Sequence, residues 1–277
     1  MCKAGQPCFI VINMKFTEKF NSIKEKNSIL CVGLDPDPSQ IPPSILGEKN
    51  PILKFCRELI DATTDLVCGY KLNTAFFEAC CAPHTMAEVK EYIGDALITI
   101  ADAKRGDIGN TARMYAKAFF DNMGFDAITL SPYMGYNAIE PFASYKDKMS
   151  FILCLTSNPS SKDFEELLVQ ENTDTDLSVQ PLWKSVARKV TEWNKNDNLG
   201  LVVGATKPGA LQTIRDITNI PLLVPGIGKQ GGDIRDVIGY GGIVIPTVSR
   251  SIIYASRDKD FAEAARKKTE EFISMLP

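Results

Sequence analysis

The stretch Ile98-Thr-Ile-Ala-Asp-Ala-Lys-Arg-Gly-Asp-Ile-Gly-Asn-Thr111 opens as an apolar strand and then sets Asp102, Lys104, Arg105 and Asp107 within six residues. Alternate residues of a strand share a face. Ile98, Ile100, Asp102 and Lys104 are therefore expected on one side and Arg105 on the other. A surface strand has no use for Ile98 and Ile100, and a packed core has no use for Asp102 and Lys104. A strand that is core at its start and chemistry at its end satisfies both. Strands of closed parallel barrels have that character, because their C-terminal ends carry the site.

Reading outward, the same kind of strand recurs at 28–35, 67–73, 127–132, 150–156, 199–205, 221–228 and 242–248. Amphipathic segments alternate with them. A lead helix shows Phe16, Phe20 and Ile23 at helical spacing, and further helices are expected near 51–66, 85–95, 137–144, 181–195, 208–218, 233–238 and 259–275. The helix after the opening strand is expected to start near Asn110 and Thr111, both good N-cap residues. Eight near-continuous apolar strands separated by helices predict a parallel sheet covered by helices. At this length the prediction is an α/β fold, a (β/α)8 TIM barrel, in preference to an open doubly wound sheet. The first strand supports this, since Val32-Gly-Leu-Asp-Pro36 lacks the G-x-G-x-x-G turn of a dinucleotide fold. No linker composition divides the chain, so residues 1–277 are read as a single domain, with 1–27 an N-terminal extension and 28–277 the barrel. The polar segment 158–180 reads as one long loop with room for a helical turn.

Composition narrows the partners. The 277 residues are 44% hydrophobic and 23% charged with a formal net charge of −3, an ordinary globular balance. A nucleic-acid backbone binder usually carries a basic surplus, so no nucleic-acid partner is expected. No run of about 18 apolar residues predicts a membrane span. The short apolar stretch Cys8–Ile12 lacks a basic leader and is not read as a signal peptide. The eight cysteines (Cys2, Cys8, Cys31, Cys56, Cys68, Cys80, Cys81 and Cys154) are scattered and read as reduced thiols in a cytoplasmic protein. With His84 the single histidine and no C-x-x-C pairs, no metal site is expected.

The strand ends collect the polar chemistry. They carry Asp35; Lys71 and Asn73; Asp102, Lys104 and Asp107; Thr156 and Ser157; Pro225-Gly-Ile-Gly-Lys-Gln230; and Ser249-Arg250. Glycine-exposed backbone N–H groups and an arginine after the last two strands suit a phosphate. Lys71, Asp102, Lys104 and Asp107 form alternating cations and anions. A structural ion network is the competing explanation, but such networks are poor stabilisers when buried. At a barrel mouth they suit proton delivery beside a fixed anion, with Lys104 as the acid and Asp102 ionised.

At these residues the chain resembles the orotidine 5′-monophosphate decarboxylase family. Its D-x-K-x-x-D motif stands here as Asp102-Ala-Lys104-Arg-Gly-Asp107, continued by Ile108-Gly-Asn-Thr111. Leu34-Asp35-Pro36, Lys71-Leu-Asn73, Pro225-Gly-Ile-Gly228, Gln230 and Arg250 follow the family's order. The resemblance implies a cofactor-free conversion of orotidine 5′-monophosphate to uridine 5′-monophosphate and CO2, the last step of de novo UMP synthesis. It implies that Asp35, Lys71 and Asn73 hold the ribose region, that Asp102 faces the scissile carboxylate, and that Lys104 protonates C6. Asp107, Ile108 and Thr111 would come from the neighbouring subunit of a homodimer. Ser157 would read the pyrimidine edge and Gln230 would bridge base and phosphate. Gly228 and Arg250 would hold the phosphate, with Pro225 and Ser249 also at the substrate. Related pathways fuse this domain to orotate phosphoribosyltransferase, so the resemblance admits a longer bifunctional protein. Other phosphosugar barrels, such as hexulose-phosphate synthases, use Mg2+ and an acid near the end of strand two, where this chain has Lys71 and Asn73. A catalytically silent nucleotide-binding protein is the remaining alternative, which the intact Asp102, Lys104 and Asp107 oppose.

Overall fold

A computed structural model describes residues 14–80, 82–172 and 177–276. Cys2, Cys8, the Cys8–Ile12 stretch and Cys81 lie outside these residues. Eight parallel strands close into a barrel: β1 (Cys31–Leu34), β2 (Gly69–Asn73), β3 (Ile98–Arg105), β4 (Ala127–Leu130), β5 (Met149–Leu155), β8 (Leu199–Val203), β9 (Leu222–Val224) and β10 (Val244–Val248). Neighbouring pairs run in sequence order, and β10 closes on β1 through Cys31 opposite Thr247. The strands are buried on both faces, which explains their near-continuous apolar sequence.

Helices cover the barrel: α2 (Pro51–Thr63), α4 (Pro83–Ile93), α5 (Gly109–Ala116), the short α6 (Glu140–Ala143), α7 (Leu182–Trp193), α8 (Pro208–Ile217) and α10 (Phe261–Ile273). The local reasons are visible in α2. Pro51 presets its first turn, Asn50 accepts the Leu53 N–H at 3.1 Å, and Ile52, Phe55, Cys56, Leu59, Ile60 and Thr63 make its buried face. The lead helix α1 (Phe16–Lys24) buries Phe16, Phe20 and Ile23 as its spacing predicts. Phe16 meets Phe151 of β5 edge-on, with ring centroids 5.7 Å apart. Phe151 shares the interior face of β5 with Leu153, and it fills space left by Gly200, where an added Cβ would lie 2.8 Å from the Phe151 ring. Helix α1 thus packs against the N-terminal end of the barrel. Lys19 fastens it with a 2.8 Å ion pair to Asp126, whose other oxygen accepts the Thr99 N–H and hydroxyl.

Several local expectations need correction. Segment 158–180 is not simply a loop with a helical turn. After a 3-10 turn at Pro159–Asp163 it forms an antiparallel hairpin of β6 (Leu168–Asn172) and β7 (Leu177–Pro181). Its polar composition hides the strand pattern, because the hairpin stands outside the barrel and Leu168 and Val179 remain exposed. Helix α5 starts at Gly109, after Ile108 and without a side-chain cap, so neither Asn110 nor Thr111 caps it. The segment near 233–238 shortens to a 3-10 turn at Ile234–Val237. Two short helices escaped the sequence pattern, α3 (Thr74–Ala79) and α9 (Arg250–Ile253), each following directly on a barrel strand.

Candidate active site

The C-terminal ends of the barrel strands surround a cavity of about 560 Å3. Its deep wall is apolar, with Leu153, Val202 and Leu223, and its upper wall is polar. The change occurs within single strands, as on β3, where Ile98 and Ile100 lie below Asp102.

Asp102 is the centre of the polar wall. Its Oδ2 accepts from Lys71 Nζ at 2.7 Å, and its Oδ1 accepts from Lys104 Nζ at 2.5 Å and from the Thr129 hydroxyl at 3.0 Å. Lys71 and Asp102 are buried, while Lys104 is half-exposed toward the cavity. Burial alone would push the Asp102 carboxyl up, but the Lys71 and Lys104 ammonium groups outweigh it and hold the carboxyl well below the usual carboxylate range. Burial alone would likewise lower Lys71, yet Asp102 and Asp35 outweigh it and raise the ammonium above its ordinary value. The site therefore carries a fixed anion between two cations at neutral pH. Cys31 is not a competing nucleophile, since burial pushes its thiol up to about 12.

The D-x-K segment is not a regular strand. Ala101 pairs with Ile128 and Arg105 with Leu130, so Asp102, Ala103 and Lys104 together oppose Thr129 of β4. Lys104 has φ of 46°, in the left-handed region. Asp102 and Lys104 do share the cavity, but a bulge brings them together and not simple alternation. Arg105 faces away as expected. It pairs with Glu78 and lies over the Tyr115 ring, 5.2 Å from the centroid.

Next to this cluster, Ser249 donates to Asp35 Oδ2 at 2.6 Å, and the Tyr254 hydroxyl donates to the Asp35 carbonyl at 2.7 Å. Asp35 Oδ1 is buried with no hydrogen-bond partner among the described residues, and the Thr247 hydroxyl is buried beside the Cys31 thiol. Both residues line the cavity, and the unpartnered Asp35 oxygen suits a polyhydroxylated ligand. Asn73 lines the same wall while its side-chain oxygen accepts the Ala75 N–H at the start of α3.

The opposite wall holds the loop after β9. Ser157 donates to Gln230 Oε1 at 2.7 Å, joining the loops after β5 and β9. Gly228 has φ of 79°, and a Cβ there would lie 2.4 Å from Ser251 Oγ, so only glycine lets this loop lie against α9. Lys229 and Arg250 line the cavity, are exposed, and have no carboxylate partner among the described residues. Two free cations beside glycine-rich backbone can grip a phosphate.

The structure thus gathers Asp35, Lys71, Asn73, Asp102, Lys104, Ser157, Pro225, Gln230, Ser249 and Arg250 on one cavity. Gly228 shapes the loop without lining the cavity, and Asp107, Ile108 and Thr111 lie off its wall. The Asp107 carboxylate accepts the neighbouring Ile108 N–H at 2.8 Å. Sequence reasoning missed Thr129 and Thr247, although a lone threonine in each of the apolar strands Ala127–Leu130 and Val244–Val248 is a signal. It also missed Glu165, which accepts from the Thr156 N–H at 2.7 Å and hydroxyl at 2.8 Å, and Tyr254, whose partner lies 219 residues away. Among the described residues no group of three or more His, Cys, Asp and Glu could hold a metal ion.

A family model described as "Orotidine 5'-phosphate decarboxylase / HUMPS family" matches residues 28–267. An orotidine 5'-phosphate decarboxylase of Herpetosiphon aurantiacus is 46% identical over 268 residues, covering 93% of this chain and 96% of the relative. Among solved structures, the Leishmania donovani OMP decarboxylase superposes with a TM-score of 0.78 at 34% identity, covering 95% of this chain and 99% of that one. The Leishmania donovani UMP synthase gives a TM-score of 0.80 at 35% identity, covering 95% of this chain but 56% of that longer one. The match runs from the first barrel strand into the last helix, and by this agreement the chain belongs to the orotidine 5'-phosphate decarboxylase / HUMPS family.

Proposed function

We propose that the chain decarboxylates orotidine 5′-monophosphate to uridine 5′-monophosphate and CO2, the last step of UMP biosynthesis. The observation that carries this reading is Asp102, held ionised between Lys71 and Lys104 at a cavity whose far wall offers Lys229 and Arg250. The substrate carboxylate sits beside Asp102. Two unit charges about 4 Å apart repel by about 4 kcal/mol at an effective dielectric near 20, and loss of CO2 relieves that repulsion. The C6–carboxylate bond breaks, its electron pair stays on C6, and the Lys104 ammonium stabilises that pair and donates its proton to it. Stabilisation of the developing carbanion by Lys104 is the larger contribution, because it grows as the electron pair localises on C6.

In this reading Asp35, Lys71, Asn73 and Ser249 hold the ribose region, Ser157 and Pro225 contact the base, Gln230 bridges base and phosphate, and Gly228 and Arg250 hold the phosphate. The reaction draws on no cofactor. Lys71 and Asn73 at the end of β2 favour it over the Mg2+-dependent hexulose-phosphate synthases. The decisive measurement follows the orotidylate ultraviolet band on adding protein; no loss of the band at high protein concentration overturns the reading.

A homodimer completes the site. Asp107, Ile108 and Thr111 lie off their own cavity, and Ile108, Met114, Tyr133 and Met134 are exposed apolar side chains. Asp107, Ile108 and Thr111 reach the partner's substrate in our reading. Lys104→Ala and Asp107→Ala homodimers should both be nearly inactive, and mixing them should restore activity at one site of the heterodimer. No recovery despite verified subunit exchange would return Asp107 to its own chain. We assign the enzyme to the cytoplasm. Buried free thiols at Cys31, Cys56, Cys68 and Cys154 support a reducing compartment. The longer UMP synthase neighbour supports asking whether orotate phosphoribosyltransferase is fused to this domain, which a native mass measurement answers.

A further inference from the structure

We infer that Thr129 is a positioning residue for Lys104: its hydroxyl occupies the bulge in β3 and ties the Lys104 backbone to the Asp102 carboxylate. This inference deepens the decarboxylase reading and rests on it.

The bulge creates a specific need. Three residues of β3, Asp102 to Lys104, stand opposite the single residue Thr129, and regular pairing resumes only at Arg105. The Ser131 N–H donates to the Arg105 carbonyl at 2.8 Å, so β4 is already engaged beyond the bulge. At the bulge the Lys104 N–H donates to Thr129 Oγ1 at 2.9 Å. The same hydroxyl donates onward to Asp102 Oδ1 at 3.0 Å. A hydroxyl oxygen can accept from an amide and donate to a carboxylate at once. Thr129 is fully buried, and its strand neighbours Ile128 and Leu130 offer no substitute.

Lys104 adopts φ of 46°, which a residue with a Cβ rarely holds without enforcement by its surroundings. This conformation turns its side chain back so that Nζ meets the same Asp102 Oδ1 that Thr129 contacts. One carboxylate oxygen and one hydroxyl therefore fix both ends of the lysine, its backbone and its ammonium. Without the Thr129 hydroxyl, the Lys104 N–H loses its acceptor and Asp102 Oδ1 loses one donor. The left-handed backbone then relaxes, and the ammonium loses its fixed distance to the reacting carbon.

The test compares Thr129→Val, which keeps the shape and removes the hydroxyl, with Thr129→Ser, which keeps the hydroxyl. Valine is expected to lower kcat by about 10- to 100-fold with KM for orotidine 5′-monophosphate within about threefold, and serine to stay within about threefold of the parent. Amide hydrogen exchange at Lys104, followed by NMR in the ligand-free protein, should accelerate at least about tenfold in the valine variant and not in the serine variant. The inference is overturned if valine retains the parent kcat, if serine loses as much as valine, if a rise in KM carries the loss, or if Lys104 exchange is unchanged. Thr129→Ala repeats the comparison should the valine variant not fold. A parent protein that leaves orotidylate intact overturns the decarboxylase reading, while the exchange measurement still decides the role of Thr129.

Discussion

On the β2–β3 wall of the cavity, Asp102 already receives Lys71, Lys104 and Thr129, and three of these four side chains, Asp102, Lys71 and Thr129, are buried. On the opposite wall, Lys229 and Arg250 stand exposed without a carboxylate partner among the described residues, beside a loop whose Gly226, Gly228 and Gly231 all take positive φ. The first wall is complete before a ligand arrives, so its charges need little reorganisation during reaction. The second is completed by the ligand, and its grip on a remote phosphate can drive closure over the reacting carbon. The molecule thus separates rigid chemistry on β2 and β3 from adjustable binding after β9 and β10.

Substitutions on the two walls should therefore fail in different ways. Lys104→Ala should have the largest effect, since it removes both the proton donor and the cation facing C6. A fall in kcat of about 10^4-fold or more is expected, with the fold unchanged by circular dichroism. A loss confined to KM would show that the β2–β3 wall only binds.

Asp102→Asn should reduce kcat by about 10^2- to 10^3-fold and also destabilise the protein, because it leaves the buried Lys71 ammonium without its anion. Breaking such a pair costs about 3–5 kcal/mol. The parent's pH dependence has a defined sign. The Asp102 carboxyl is held below its unfolded value of about 3.9, so its contribution is fully present above about pH 4 and is lost as pH falls further toward the folded value. Lys71 is raised, so its contribution is present below about pH 10.4 and is lost only at more alkaline pH. Urea midpoints between about pH 2 and 7 should show the acid decline weakened in the asparagine variant. An acid limb as steep as the parent's would mean that other carboxylates dominate it.

Arg250→Ala should have the smallest effect of the three, a rise in KM of about 10- to 100-fold from the loss of a charge-assisted phosphate contact. The nucleoside orotidine, which lacks the phosphate, should be turned over equally by the parent and this variant. If the variant is equally impaired on orotidine, Arg250 serves the chemistry, and the division between the walls fails.

Much of this site could be read from the sequence because strand ends in a parallel barrel converge. Asp35, Lys71, Asn73, Asp102, Lys104 and Arg250 each follow an apolar run, so the order of runs sufficed to bring them to one rim. Asp107 and Thr111 could be named but not placed, since the residues beyond β3 leave the strand and its geometry no longer constrains them. The hairpin at Leu168–Pro181 was illegible because, among its described side chains, Leu168, Gln170 and Val179 stay exposed and show no apolar face.

By itself the sequence determined the barrel, through eight apolar runs whose two buried faces demand covering helices, and it determined which charges gather at the rim. Only the tertiary structure decided how two of those charges meet. Local alternation predicts Asp102 and Lys104 as parallel neighbours on a regular strand. The register of β4 instead forces a bulge there, turns Lys104 left-handed and supplies Thr129 to hold it. Periodicity within β3 carries no information about that register, because it is set by a different strand. The Tyr254 contact to Asp35 is equally non-local, fixed by closure of β10 on β1 and not by any pattern around either residue.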